Sequence, residues 1–315
     1  MALAAKQAAT RIADIICRTP LLKSAGFSDQ SGTNTFLKLE NRQHTGSFKL
    51  RGATNRLMTL SQAQRSKGCV VASSGNHGAA VAFAMKTLGI SGVIFVPEQT
   101  SSKKVDAIRS YDGEVRFFGT DGLDTEIHAR EYAEQNDMFY LSPYNDPEVI
   151  AGQGTCGVEI VSDLPDVDAV FIAVGGGGLV GGVASVLKLH NPDIRIYGCQ
   201  PLNSPVMARS VEAGEIIDMP SDPTLSDGTA GGIEANAITF ELCRSLVDEF
   251  VLVNEESISR GMRDYMAFEN EAIEGAAGVA LAGLVQKSDE LGGKNVAVII
   301  CGGNVSEETI NKVMN

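Results

Sequence analysis

One lysine in this chain stands where an amine can serve as a nucleophile. The run Ser47-Phe48-Lys49-Leu50-Arg51-Gly52 sets Lys49 between two apolar residues. Burial of that run would lower the amine's pKa and free its neutral form to attack an aldehyde; a solvated lysine at a helix start is the plainer explanation of the segment by itself. A second feature is Val174-Gly175-Gly176-Gly177-Gly178-Leu179, which follows an apolar run at 169–174 and precedes a helical pattern. Gly175, Gly176, Gly177 and Gly178 expose a row of N–H groups at a helix N-terminus, where donors and dipole together stabilise a phosphate. A tight turn needing φ > 0 would use the same residues. A nicotinamide dinucleotide turn fits poorly, because the next apolar run, 195–199, leads to Gln200 and not to a ribose-binding acid. Ala72-Ser73-Ser74-Gly75-Asn76-His77-Gly78 offers two hydroxyls, an amide and backbone donors at another strand-to-helix turn, which suits a small carboxylate. Ser73 or Ser74 would also serve there as an N-cap. Ile300-Cys301-Gly302-Gly303-Asn304 closes the last apolar run, where Cys301 taken alone reads as a small buried hydrophobe.

The frame for these segments is an alternation. Short β-branched runs at 69–73, 92–96, 115–118, 169–174, 195–199 and 295–301 read as buried strands, and 76–88, 102–111, 123–136, 179–190 and 257–268 carry helical spacing. That rhythm predicts an α/β protein with parallel sheet, glycine marking many of the strand-to-helix turns. The 315 residues are 43% hydrophobic and 21% charged, which excludes a disordered chain. Single cores stop growing at roughly 250–300 residues, so two lobes with a cleft between them are expected. With no internal repeat and no linker, the division between lobes must be topological. A net charge of −13 disfavours a nucleic-acid partner. No run approaches the roughly 18 apolar residues of a membrane span, and the N-terminus lacks a signal-like apolar block, so a cytoplasmic protein without a membrane partner is expected. Six cysteines, scattered singly and with no histidine beside any of them, argue against a zinc site or a disulfide framework.

Together the four segments resemble the serine/threonine dehydratase and serine racemase family of fold-type II pyridoxal-phosphate enzymes. The resemblance extends over nearly the whole chain through Arg18-Thr19-Pro20-Leu21, Leu37-Lys38-Leu39-Glu40-Asn41, Val149-Ile150-Ala151-Gly152-Gln153-Gly154-Thr155 and Glu274-Gly275-Ala276-Ala277-Gly278. It implies a tryptophan synthase β-like fold of two open, twisted α/β domains with the cofactor in the cleft. Residues 1–67 and 146–315 would form the large cofactor-binding domain, and 68–145 a small domain bearing the Ser-Ser-Gly-Asn loop. It further implies pyridoxal 5'-phosphate held by Phe48, Lys49, Asn76, Gly175, Gly176, Gly177, Gly178, Leu179, Gly228 and Cys301. In that arrangement Lys49 bonds the aldehyde, Asn76 meets the ring hydroxyl and Cys301 faces the pyridine nitrogen. Ser73, Ser74, Asn76 and His77 would hold the substrate, with Ser74 joining Lys49 as a catalytic group on the opposite face. A thiol, with a free pKa near about 8.5, does not keep a pyridine protonated as an aspartate does, which leaves a milder electron sink suited to elimination.

The activity so implied is removal of water from a β-hydroxy amino acid of serine or threonine type, giving a 2-oxo acid and ammonia, with serine racemisation beside it. A hydroxyaspartate or other larger hydroxy amino acid dehydratase is the alternative within the family, and a non-catalytic cofactor or amino-acid binding protein the alternative outside it. Many dehydratases resemble this motif with alanine at position 74, whereas racemases and hydroxyaspartate dehydratases carry serine; two proton-transfer groups on opposite faces permit racemisation. Two departures stand out. Gln200-Pro201 occupies the place of the metal-binding acid in racemases, and neither Ser204 nor Val206 restores it, so no metal is expected. The loop Ser226-Asp227-Gly228-Thr229-Ala230-Gly231-Gly232 departs beyond Asp227-Gly228, which leaves the preferred substrate open. A homodimer is expected, without the regulatory domain of biosynthetic threonine deaminases, since the chain ends at Asn315.

Overall fold

The computed structural model of the chain describes residues 1–314. Ten strands form among them: β1 (Leu21–Lys23), β2 (Asn34–Leu39), β3 (Cys69–Ala72), β4 (Gly92–Val96), β5 (Glu114–Phe117), β6 (Phe139–Tyr140), β7 (Ala169–Ala173), β8 (Arg195–Pro201), β9 (Glu249–Val253) and β10 (Asn295–Ile300). They make a six-stranded sheet in the order β1-β2-β10-β7-β8-β9 and a four-stranded sheet in the order β5-β4-β3-β6. Every pairing is parallel except β1 with β2. β10 is central in the larger sheet, with Val298 opposite Leu37 on one side and Phe171 on the other. The run expected at 195–199 continues to Pro201 because Gln200 and Pro201 pair with Leu252 and Val253 of β9.

Chain order against strand order locates the place where a site can be built. In the larger sheet the chain passes from β7 through β8 to β9 in one direction, then crosses to β10 on the other side of β7. In the smaller sheet it runs from β3 through β4 to β5, then returns to β6 on the far side of β3. Each reversal opens a crevice at the carboxyl ends of the strands on either side of it, where loops diverge to opposite faces. The Gly175–178 row and Cys301 leave the first crevice; the Ser73–Asn76 turn and Pro143-Tyr144 leave the second.

Both faces of the larger sheet are covered by apolar helices. The helix Gly275–Gln286 is buried over its first ten residues and packs on β7, β8, β9 and β10. Such all-round burial needs an apolar surface without a polar stripe, which its Ala, Val, Leu and Gly content provides. On the opposite side the helices Pro147–Asp163 and Gly178–His190 approach at Gly154 and Gly182, where a Cβ on Gly182 would stand 2.6 Å from the Gly154 nitrogen. This close backbone contact fixes the helix that follows the glycine row.

The helix Lys49–Thr59 joins the two halves. Leu50, Ala53 and Leu57 are fully buried in the core of the four-stranded sheet, with Val71, Val81 and Ile94. Arg51, on the other side of the same helix, is fully buried among groups of the larger half. Its Nε and Nη2 donate to the two Glu40 oxygens at 2.7 and 2.8 Å, and Nη1 and Nη2 donate to those of Glu159 at 2.7 and 2.8 Å. Thr155 Oγ1 and Thr19 Oγ1 accept the remaining contacts at 3.0 and 3.2 Å. Lys38 Nζ completes the cluster, donating to Glu159 at 2.5 Å and to the Thr19 carbonyl at 2.6 Å. Burial by itself pushes the Glu40 carboxyl up, but the Arg51 guanidinium outweighs it and holds Glu40 below its ordinary value. Two cations and two anions cancel in a place closed to water.

Removing one member of such a cluster strands the others without solvent, at a cost of about 3–5 kcal/mol. Arg51→Met is therefore expected to lower unfolding free energy by about that amount in urea titration. The half-exposed Arg195, 3.5 Å from Glu249, is the comparison, and Arg195→Met is expected to cost under about 1 kcal/mol. Equal effects would mean that the cluster does not hold the fold.

Candidate active site

Local backbone pairing brings the reactive lysine to the thiol. Ser47 bridges Gly302 in antiparallel fashion, the Phe48 N–H donates to the Cys301 carbonyl at 3.0 Å, and the Gly303 N–H donates to the Gly46 carbonyl at 2.9 Å. This short zipper ties the start of the Lys49 helix to the end of β10. Lys49 Nζ then reaches into the cleft and donates to the Pro143 carbonyl at 3.1 Å. Burial pushes the amine down to about 8, against the opposing pull of Cys301 and Glu274. A lysine in this state presents an appreciable neutral fraction near neutral pH.

The cleft holds about 220 Å³ and is lined by Phe48, Lys49, Ser73, Gly75, Asn76, His77, Gly175, Gly176, Gly177, Gly178, Leu179, Gly228 and Cys301, together with residues noted below. For scale, roughly 150 Å³ accommodates a benzene ring. The glycine row leaves β7 and enters the helix Gly178–His190 through Gly177, whose φ of +85° is the left-handed conformation that glycine tolerates. A Cβ on Gly176 would stand 2.5 Å from the Tyr144 ring, and one on Gly175 would stand 3.0 Å from Thr229 Cα. The loop must be bare, and its glycines line the cleft at a helix start, the place an anion site would require.

The Ser73–Asn76 turn caps the other wall. The helix Asn76–Leu88 begins there, with Ser73 Oγ accepting from the Gly75 N–H at 3.2 Å. His77 is buried, and its Nε2 is 3.1 Å from the Leu141 carbonyl, which can only accept, so Nε2 carries the proton. Burial and the neighbouring Lys49 push the imidazole down to about 3, which keeps it neutral. Ser74 is half-buried and does not line the cleft, although both its neighbours do. Cys301 is buried, and burial with the adjacent Glu274 raises its thiol well above the ordinary range, leaving it protonated.

Several lining groups carried no role in the sequence reading. Glu274, the N-cap of the helix Gly275–Gln286, accepts from Asn76 Nδ2 on both oxygens at 3.0 and 2.9 Å. Burial raises its carboxyl to about 7, with the Asn76 donor pulling the other way. Asn76 Oδ1 accepts from Asn304 Nδ2 at 2.6 Å, so its amide is oriented from both ends. Tyr144 lies across the glycine row, and its hydroxyl accepts from the Glu234 N–H at 2.9 Å. Thr229 comes from the short turn Asp227–Thr229, whose Gly228 also reaches the cleft. Gln200 lies outside: its Nε2 donates to the Val174 carbonyl at 3.0 Å and its Oε1 accepts from the Ala208 N–H at 2.7 Å. It braces the strand that feeds the glycine row.

These groups fit a phosphorylated pyridine aldehyde: a bare glycine row for the phosphate, a protonated thiol for the ring nitrogen, a part-buried amine of lowered pKa for the aldehyde. The chain's likenesses agree. A model of the family described as pyridoxal-phosphate dependent enzyme matches residues 12–302. The catabolic L-threonine dehydratase of Staphylococcus aureus strain N315 is 40% identical over 313 residues, 98% of this chain and 90% of that protein. Among solved structures, maize serine racemase superimposes with a TM-score of 0.93 at 32% identity, covering 99% of this chain and 96% of its own. The processed threonine deaminase isoform 2 of Solanum lycopersicum gives 0.93 at 34% identity, covering 99% and 93%.

An amine titrating near 8 captures an aldehyde in proportion to its neutral fraction. Stopped-flow capture of pyridoxal phosphate by the stripped protein should therefore accelerate about tenfold per pH unit below 8 and level off above it. Continued acceleration to pH 10 would show an ordinary, solvated lysine.

Proposed function

The chain belongs to the pyridoxal-phosphate dependent enzymes, and from that premise we propose that it is a dehydratase of a β-hydroxy amino acid of serine or threonine type, releasing a 2-oxo acid and ammonia. The observation that carries this reading is the convergence of Lys49, the Gly175–178 row and Cys301 on one cleft, supported by dehydratase relatives that match 98% of the chain. The cofactor, when bound, supplies an electron sink for the charge left at Cα. Lys49 Nζ, neutral below about pH 8 in a fraction that rises with pH, is the group placed to take and return the Cα proton. The Gly175–178 amides would hold the cofactor's phosphate, and the protonated Cys301 thiol would serve its ring nitrogen without donating a full charge. The turn 73–76, at the start of a 13-residue helix, orients the substrate carboxylate with its N–H groups and hydroxyls. Neutral His77 holds that turn to the Leu141 carbonyl and takes no proton.

The lining also bears on the substrate. A hydroxyaspartate would bring a second carboxylate, which calls for a dedicated cation such as an arginine fork. Among the described lining residues Lys49 is the one cation. An uncharged side chain on the substrate suits this cleft better. Residues 68–145 act in our reading as the small domain that carries the substrate turn, and the enzyme works as a cytoplasmic homodimer.

Racemisation is the second activity, favoured by Ser74 and by the 0.93 match to a serine racemase. Ser74 stands between the lining residues Ser73 and Gly75, and in this reading its hydroxyl turns to the face of Cα opposite Lys49.

Keto-acid release from serine, threonine and 3-hydroxyaspartate, together with enantiomer exchange, tests both readings in wild-type and Ser74→Ala enzyme. Release from serine or threonine is expected to exceed that from 3-hydroxyaspartate. Ser74→Ala should depress racemisation by at least about 10²-fold while elimination changes far less. Preference for the acidic substrate would refute the dehydratase assignment as stated, and equal losses would reduce Ser74 to a cap.

A further inference from the structure

The segment 226–237, whose sequence departs from the family's pattern beyond Asp227-Gly228, starts beside the glycine row in the larger half and reaches across to the smaller one. Its near end is anchored. Ser226 and Thr229 are buried with their hydroxyls 2.5 Å apart, and the Gly231 N–H donates to Ser204 Oγ at 3.1 Å. Gly231 and Gly232 then form a neck without side-chain packing: Gly231 has a φ of +114°, and a Cβ placed on either would find no heavy atom within 4 Å. Such a neck does not by itself fix the residue that follows it. Glu234 is fixed by contacts of its own. Oε2 accepts from Asn145 Nδ2 at 2.9 Å, Oε1 lies 3.1 Å from Arg130 Nη2, and the Glu234 N–H donates to the Tyr144 hydroxyl at 2.9 Å. Arg130 belongs to the helix Gly122–Gln135 of the smaller half, where its guanidinium lies 4.2 Å from the centroid of the Tyr140 ring. Asn145 Oδ1 also accepts from the Ile238 N–H at 3.0 Å, which fastens the far end of the segment. With the Glu234 side chain 28% exposed, its ion pair alone would count for little. What makes Glu234 distinctive is that one residue holds Arg130, Asn145 and Tyr144 together.

We propose that Glu234 is a positioning residue for the phosphate site: held across the cleft by Arg130 and Asn145, it fixes Tyr144 against the glycine row and so keeps one wall of that site preformed. The proposal rests on the reading that the Gly175–178 row takes the cofactor's phosphate. The Tyr144 ring lies where a Cβ on Gly176 would meet it at 2.5 Å, so a displaced ring leaves the row open to water on that side. A wall assembled before the ligand arrives removes ordering cost from binding, and its loss appears as weaker affinity.

The test measures pyridoxal phosphate affinity by absorbance titration of the stripped protein, with hydrogen exchange of the holoenzyme as the second readout. Glu234→Ala is expected to raise the dissociation constant about tenfold, the scale of a lost hydrogen bond to a charged group. Amides 230–237 are expected to exchange faster in that variant while those of β7 and β10 do not. Tyr144→Phe should weaken binding as well, and the double variant should be no worse than the poorer single one, because both changes release the same contact. Glu241→Ala, which breaks only a surface pair with Arg244, should leave affinity as it is. Unchanged affinity in Glu234→Ala, beside clear loss of binding in Gly176→Val, would overturn the positioning role and leave the phosphate reading intact. Unchanged affinity in Gly176→Val would remove the phosphate reading and this proposal with it. Faster exchange in β7 and β10 of Glu234→Ala would show a general loosening of the fold in place of a displaced wall.

Discussion

An amine at the start of a helix can be aimed only as well as its first turn is fixed, and in this protein that turn is fixed by a buried ion cluster. Arg51 lies two residues after Lys49 and is held by both oxygens of Glu40 and both of Glu159. Its planar fork matches two carboxylates at once, which a lysine at that position would not do. The carboxylates come from the end of β2 and from the helix Pro147–Asp163, so one side chain locks the lysine helix to two elements of the larger half. Ahead of Lys49, the backbone zipper between 46–48 and 301–303 sets its distance from Cys301. The lysine is thus immobilised from both directions along the chain while its amine stays in the cleft.

The electrostatics of the cleft follow from that placement. Lys49, Glu274 and Cys301 meet at the cleft, the first part-buried and the other two buried, and burial acts on all three in the direction of the neutral form. The attraction of Lys49 to Glu274 and Cys301 opposes it and does not win, while Glu274 pushes Cys301 further toward the thiol. A site with an amine that titrates near 8, a carboxyl poised near neutrality and a protonated thiol stores little net charge of its own, so the glycine-row amides and the helix start at 73–76 stand beside Lys49 as the positive elements able to organise ligands. That distribution suits a reaction whose charge develops on the ligand.

Much of this was legible from residue types. The glycine row, the serine turn and the lysine segment lie where strands end and helices begin, and helix 76–88 has its expected bounds. Elements whose hydrophobic signal is short or masked were not legible: β6 has two residues and β1 three, yet β6 delivers Pro143 and Tyr144 to the cleft. The ion cluster was also hidden. Lys38, Glu40 and Thr19 sit in segments that mark the family resemblance, but charged residues in a row suggest solvent, and their mutual burial depends on contacts as far as 121 residues apart. Glu274 had a visible signal, a lone acid directly before an apolar helix, that says helix N-terminus without saying cleft. For Ser74, residue type suggests a proton-transfer group, while its half-buried place between the lining residues Ser73 and Gly75 follows from loop geometry that composition does not encode.

The account rests on Lys49 being the residue that bonds the cofactor. Borohydride reduction of the holoenzyme followed by peptide mapping tests this most directly, since it converts the bond into a permanent pyridoxyl label. A single label on the peptide carrying Lys49 is the predicted result. A label on another lysine, or none from an enzyme that turns over, would contradict it.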